Sequence, residues 1–150
     1  MNNVTWIGTS KKTITDEHIQ QVEQYFGVKL PHDFIECVKQ NDGGHPQPNT
    51  FDIEGQDDDV INNLLTFDLE SEYYILQRYE NIKDRLVDKV YPFARDPFGN
   101  FLCFDYRNNP QSPTVIFWDH EEEMEEAIYP VCSSFTELLD SLYEFEDEDD

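Results

Sequence analysis

Long apolar runs are missing from this 150-residue sequence. The longest candidates, such as Val115 to Trp118, have the length of a strand, far short of the ~20 residues that a membrane-spanning helix requires. The stretch Met1 to Lys12 has no apolar h-region, and its two lysines follow Trp6 and Ile7 instead of preceding them, so no secretory signal is expected. Cations are scarce: 10 Lys and Arg stand against 33 Asp and Glu, for a formal net charge of −23. That scarcity argues against direct contact with a nucleic-acid backbone or an anionic membrane, since both need cations on the protein. Cysteine is limited to Cys37, Cys103 and Cys132, odd in number, widely spaced and each among apolar neighbours. This suits buried thiols in a reducing compartment and predicts a cytoplasmic protein.

Ligand and nucleophile spacings are missing too. No C-x-x-C, H-x-x-x-H or H-E-x-x-H pattern gathers the four His, three Cys and many acids into a metal site. Asp57-Asp58-Asp59 fails the calcium-loop pattern, which needs an oxygen ligand where Ile61 stands and a glycine where Asn62 stands. There is no G-x-S-x-G and no glycine-rich phosphate loop. Cys103 or Cys132 could meet His120 in space, but Cys103 sits within Phe101-Leu102-Cys103-Phe104, where a buried and inert thiol is the usual outcome. No metal, no cofactor, no catalytic residue and no enzymatic activity are therefore expected. A hydrolase using His120 would need turnover by the purified protein to be entertained.

What the sequence has is aromatics and acids together. Eleven Phe, eight Tyr and two Trp make 14% of the chain, whereas acidic disordered sequences are aromatic-poor. A packed core beneath an acidic shell follows, and the length suits one domain. Thr15 with Asp16 and Glu17 opens a helix that carries Ile19, Val22, Tyr25 and Phe26 at helical spacing and stops at Gly27. Leu30-Pro31 starts a second helix with Phe34, Ile35, Cys37 and Val38 on its apolar stripe, ended by Asn41-Asp42-Gly43-Gly44 and a loop with Pro46 and Pro48. Strands are predicted at Phe51–Ile53 and Val60–Phe67, separated by the acidic stretch Glu54 to Asp59, and a helix within Glu70–Asp88. Three strands follow, Val90–Ala94, Phe101–Tyr106 and Thr114–Trp118, joined by turn-rich connections too short for parallel crossovers. Ser134 and Glu137 form a capping box for a last helix. The expected fold class is α+β, with two N-terminal helices, a mostly antiparallel sheet with an inserted helix, and a C-terminal helix in one domain over residues 1–143. Six of the last seven residues, 144–150, are acids that oppose the helix dipole, so this tail is expected to fray.

Two features can carry function. Trp118-Asp119-His120-Glu121 is either an aromatic interface anchor beside acids or simply a strand end in the core. The acid runs Asp57–Asp59, Glu121–Glu123, Glu125-Glu126 and the tail are each ordinary solvated faces when taken singly. Their sum produces self-repulsion that a cationic partner would relieve, against the plainer reading that it only keeps the protein soluble.

In order and spacing, the landmarks resemble the SUKH superfamily, which includes yeast cell-wall-assembly regulators and many bacterial immunity proteins. The pattern comprises Ile19, Val22, Glu23, Phe26 and Gly27, then Leu30-Pro31-x-Asp33-Phe34 and the Gly43-Gly44 turn. It continues through Tyr91-Pro92-Phe93-Ala94-x-Asp96-x-x-Gly99-Asn100, Phe117-Trp118-x-His120-Glu121 and Ser133-Ser134-Phe135-x-Glu137-Leu138-Leu139. The family's Asn-Gly-Gly turn carries one extra residue here, Asp42, and the acidic tail lies outside the pattern. The resemblance implies a non-enzymatic SUKH-like domain that neutralises a cognate secreted toxin, often a nuclease, inside the cell that makes it; it transfers no catalytic residues. A nuclease needs cationic surface to hold phosphates, so the expected partner is a toxin with a basic, nuclease C-terminal domain. The residues expected at the contact are the acids Asp57, Asp58, Asp59, Glu121, Glu122 and Glu123, with Trp118 and Tyr73 as anchors. The alternative is a regulatory scaffold with several endogenous partners and no toxin.

Overall fold

The structure is a computed structural model that describes residues 4–53 and 55–145. Helix α1 (Asp16–Phe26) begins at Thr15, whose hydroxyl accepts from the His18 amide while the His18 ring accepts from the Thr15 amide. It ends at Gly27 in the left-handed conformation. Helix α2 (His32–Asn41) follows after a turn held by Glu23: this buried carboxylate accepts from the Leu30 amide at 2.7 Å. Two strands, β1 (Thr5–Ile7) and β2 (His45–Gln47), form an antiparallel ribbon, and β3 (Thr50–Ile53) pairs with β4 (Gln56–Val60) in a second one. The main sheet is wholly antiparallel in the order β5-β6-β7-β8-β9, from β5 (Asn63–Leu64), β6 (Val90–Arg95), β7 (Phe101–Asp105), β8 (Thr114–Trp118) and β9 (Ile128–Cys132). Helix α3 (Ile75–Ile82) enters between β5 and β6, and α4 (Phe135–Ser141) closes the described fold. No helix among the described residues is long and apolar enough to cross a membrane.

Apolar residues of the four helices and of every strand except β2 and β4 join or pack against one core. At its centre Phe34 of α2 meets Phe93 of β6, Phe104 of β7 and Phe135 of α4, with ring centroids 5.1 to 5.5 Å apart in edge-on geometry. Such pairs add roughly 0.5–1.5 kcal/mol each beyond their buried area. Strands β6 to β8 are buried on both faces, which is why they read as continuous apolar runs and not as alternation. On the other side of the sheet from Phe34, a 3₁₀ turn at Lys83–Arg85 brings Arg85 over Trp118.

Four expectations change. The acidic stretch expected to separate two strands is itself largely strand β4, because its side chains at Gln56, Asp57 and Asp58 face solvent while its backbone pairs with β3. The strand expected over Val60–Phe67 contracts to Asn63–Leu64, and the Glu70–Asp88 helix to Ile75–Ile82 and the 3₁₀ turn. Thr66 causes the second contraction: it accepts from the Ile75 amide and donates to the Tyr73 carbonyl, holding residues 71–74 in a turn. Strands β1, β2 and β9 form where none was expected; β2 and β9 each contain a proline and lie at sheet edges, where a missing amide is tolerated. The expected fraying of 144–150 lies outside the described residues from 146 onward.

Candidate functional site

Every Lys and Arg of the chain falls within residues 11–39 or 78–107. Residues 40–77 hold nine acids and no cation, and residues 108–150 hold fourteen acids and no cation. The fold brings an acidic part of each cation-free stretch together. One is the β3–β4 ribbon and the other is the turn between β8 and β9. Their meeting point is Asp59, whose carboxyl is held above the ordinary value of 3.8, first by burial and then by the charges of Asp96, Asp52 and Asp119.

On the ribbon, Asp58 takes a left-handed backbone conformation (φ 65°), and its amide donates to Asp52 Oδ1 at 3.0 Å. The Tyr143 hydroxyl lies 2.5 Å from Asp52 Oδ1 and 2.7 Å from Asp58 Oδ1, so one phenolic proton serves two carboxylates. Donation from the phenol and from the Asp58 amide holds the Asp52 carboxyl low, and the same two acids push the Tyr143 phenol up. Tyr143 is fixed in turn by a two-way backbone bridge with Thr50, at 3.2 and 3.0 Å. The ribbon thus presents two clustered carboxylates, Asp52 and Asp58, neither of which is ion-paired among the described residues.

The β8–β9 turn is equally well held. Asp119 accepts from the Glu121 amide at 2.9 Å, and the Asn100 side chain accepts from the His120 amide at 2.9 Å. Arg85 donates to the His120 and Glu122 carbonyls. Tyr129 donates to Glu122, which pushes its phenol up to about 12. Asn100 itself is clamped by Asp96, which accepts from the Phe98 and Asn100 amides and the Asn100 side chain, each at 2.8 Å. Gly99 completes this clamp with φ 94°, and a Cβ there would lie 3.3 Å from the His120 ring. The tip of the β6–β7 turn is therefore bonded to the acidic turn, and each carries a large exposed apolar side chain, Phe98 (70% exposed) and Met124 (47%).

Of the residues expected at a contact, Asp57, Asp58, Glu121 and Glu123 are exposed on these two turns, and Glu122 is half-buried against Tyr129. Three are placed otherwise. Asp59 points inward, with Oδ1 accepting from Gln56 at 2.6 Å, because the left-handed Asp58 breaks the strand's alternation. Trp118 is fully buried beside Phe101 and beneath Arg85, so it is a core residue and offers no surface to a partner. Tyr73 is half-buried elsewhere, under Arg95 on the wall of a separate cleft. Sequence reasoning missed Asp52, Tyr129, Tyr143, Phe98 and Met124, and it singled out Asp119 only as part of the Trp118-Asp119-His120-Glu121 cluster; the long cation-free stretches were the readable signal for Asp52.

The thiols are not poised as nucleophiles. Burial pushes Cys37 and Cys132 up to about 11 and Cys103 well above its ordinary value. Among the described residues no group of three or more His, Cys, Asp or Glu side chains is placed to hold a metal ion.

A family model described as SMI1-KNR4 cell-wall, of the SUKH group, matches residues 16–139, the span from α1 into α4. The chain is also 26% identical over 158 aligned positions to the SPbeta prophage-derived uncharacterized protein YokK of Bacillus subtilis (strain 168), covering 91% of this chain and 80% of the relative. Together these support the resemblance to a Bacillus protein of this group that the motifs carry.

Proposed function

The chain belongs to the SMI1-KNR4 (SUKH) family, and from that premise we propose that it is an immunity protein whose acidic face binds the basic, nuclease domain of a cognate toxin and blocks its substrate groove. The observation that carries this reading is the junction of two cation-free acidic segments at Asp59, built on turns that are hydrogen-bonded into the fold. A preordered anionic face loses little freedom on binding, and it mimics the charge of the phosphates that a nuclease groove accepts. Carboxylates would steer encounter, raising association towards ~10⁸–10⁹ M⁻¹s⁻¹ at low salt from roughly 10⁵–10⁶ for a neutral pair.

Charge alone does not give residence time, because exposed ion pairs contribute about 0–1 kcal/mol each, whereas nanomolar protection needs about −12 kcal/mol. Phe98 and Met124, exposed on the two turns that Asn100 joins, are the anchors available for the remainder. They take the place that the buried Trp118 cannot fill.

The test is rescue in cells. The C-terminal domain of the protein encoded by the adjacent gene is co-expressed with and without this protein, and an unrelated toxin serves as control. Selective rescue, with a stable complex in native mass spectrometry, is the expected result. No rescue and no complex, with the toxin verified as expressed and active, would sink this reading, and a regulatory scaffold would then be the better account.

A further inference from the structure

The β1–β2 ribbon, strand β5 and the turn before α3 line an open cleft of about 420 Å³. Its wall holds an arginine with hydrogen-bonding capacity left over. Arg95 Nη1 donates to Asn63 Oδ1 at 2.8 Å, and the guanidinium carbon lies 4.4 Å from the centroid of the Tyr73 ring. These two contacts fix the guanidinium plane, yet its other N–H groups have no acceptor among the described residues. The His45 ring lines the same cleft and makes no hydrogen bond among the described residues; it is seated against Gly8, where a Cβ would come within 2.9 Å.

Acids at this cleft are engaged elsewhere. Asp68 accepts from Lys12 Nζ and from the Glu70 amide, both at 3.0 Å. Asp42, the extra residue of the glycine turn, is buried and accepts from the Thr66 hydroxyl and from the Phe67 amide. On a chain of net charge −23, a fixed guanidinium with unused donors facing a cavity is a site built for an anion. A guanidinium fork matches a carboxylate's two oxygens. One guanidinium balances one negative charge, and a dianionic phosphate would additionally face the Asp68 carboxylate at the wall.

We propose that this cleft binds a carboxylate through the free N–H groups of Arg95, with the His45 imidazole as the second donor. The site does not depend on the toxin reading, because it uses none of the residues of the acidic face. The carboxylate belongs either to a free small acid or to the C-terminus of a peptide, and the two are separable by probe.

The experiment is an amide NMR titration of the full chain with N-acetylglycine and with succinate, against N-acetylglycinamide and inorganic phosphate. Saturable shifts at Gly8, Asn63 and Tyr73 are expected with the carboxylates and none with the amide, and phosphate should bind at least tenfold more weakly. Tighter binding of N-acetylglycine than of succinate marks a peptide C-terminus, and the reverse order marks a small dicarboxylate. Arg95→Lys keeps the charge and removes the fork, and should weaken N-acetylglycine at least tenfold. His45→Gln leaves the Asn63 contact intact and should weaken it severalfold, so it carries the comparison should Arg95→Lys lose its dispersed spectrum. Equal shifts with acid and amide, equal affinity for phosphate, no saturation, or affinity unchanged in the folded variants would overturn the proposal.

Discussion

The guanidinium of Arg85 lies over the indole of Trp118, 5.2 Å from the ring centroid, and from there donates to the carbonyls of His120 and Glu122. One side chain thus couples the core to the acidic turn. Trp118→Ala should cost about 3–5 kcal/mol of stability in urea unfolding, as expected for removal of a fully buried indole. Arg85→Met should cost far less globally but accelerate amide hydrogen exchange at 119–123. A small loss for Trp118→Ala would contradict its placement in the core.

The Asn100–His120 bond supports the same turn from the other side. Asp96→Ala empties a buried site and removes the acceptor of three part-buried hydrogen bonds from Phe98 and Asn100. It should destabilise by roughly 1–3 kcal/mol and release the β6–β7 turn, whereas Asp96→Asn, which keeps an acceptor, should lose less. Equal losses in the two variants, measured by urea unfolding, would show that this clamp does not hold the turn.

Much of this fold was legible because its signals are local. Thr15 and Ser134 cap the helices they were expected to cap, Gly27 ends α1, and three central strands stand at their predicted places. The family motif residues prove to be links between elements: Glu23 holds the α1–α2 turn, Asp33 accepts from Thr136 at the start of α4, and Asp96 with Asn100 ties two turns together. What escaped depends on distant pairing. Asp is depleted in strands, so β4 reads as a loop until β3 supplies its partner. The acid runs were visible at once, but sequence could not show that the charge of Asp119 reaches Asp59 or that Trp118 is sealed beneath Arg85.

Asp59 sets a pH signature. Its raised pKa means that the native state keeps this proton to higher pH than the unfolded chain does. Stability therefore falls as pH rises from 3.8 through the folded value, and the penalty persists above it. Asp59→Asn keeps the acceptor for Gln56 and should raise the urea midpoint at pH 7, with the gain shrinking as pH drops through the folded value and vanishing below 3.8. Asp52 works in the opposite sense: its lowered pKa contributes stability above 3.8 that is lost as pH falls through the folded value, and Tyr143→Phe should remove part of it. A gain for Asp59→Asn that is constant from pH 7 down to acid would assign the effect to packing and not to charge.

The thiols supply a test of inertness. With Cys37 and Cys132 at about 11, only on the order of one molecule in 10³ carries either thiolate at pH 8, and Cys103 is fully buried. Labelling by a chromogenic disulfide at pH 8 should run at least ~100-fold slower than for free cysteine, and all three thiols should react at once in denaturant. One fast-reacting thiol in the native protein would reopen the question of a cysteine nucleophile.

Charge and anchor act on different rates, and this separates their roles on the acidic face. Exposed carboxylates act at long range, so reversing Asp57, Glu121 and Glu123 to Lys should lower the association rate with the toxin domain at least tenfold at low salt. The deficit should shrink as salt screens the field, because the Debye length falls to about 10 Å at 0.1 M. Dissociation should change little. Phe98→Ala removes a 70%-exposed ring and should do the reverse, leaving association nearly intact and speeding dissociation at least tenfold, since anchors govern residence time. Stopped-flow association at two salt concentrations and surface-based dissociation measure both terms. If the triple reversal left association and cellular protection unchanged while the complex still formed, the acidic face would be excluded as the contact surface, and the toxin would have to bind elsewhere on the protein.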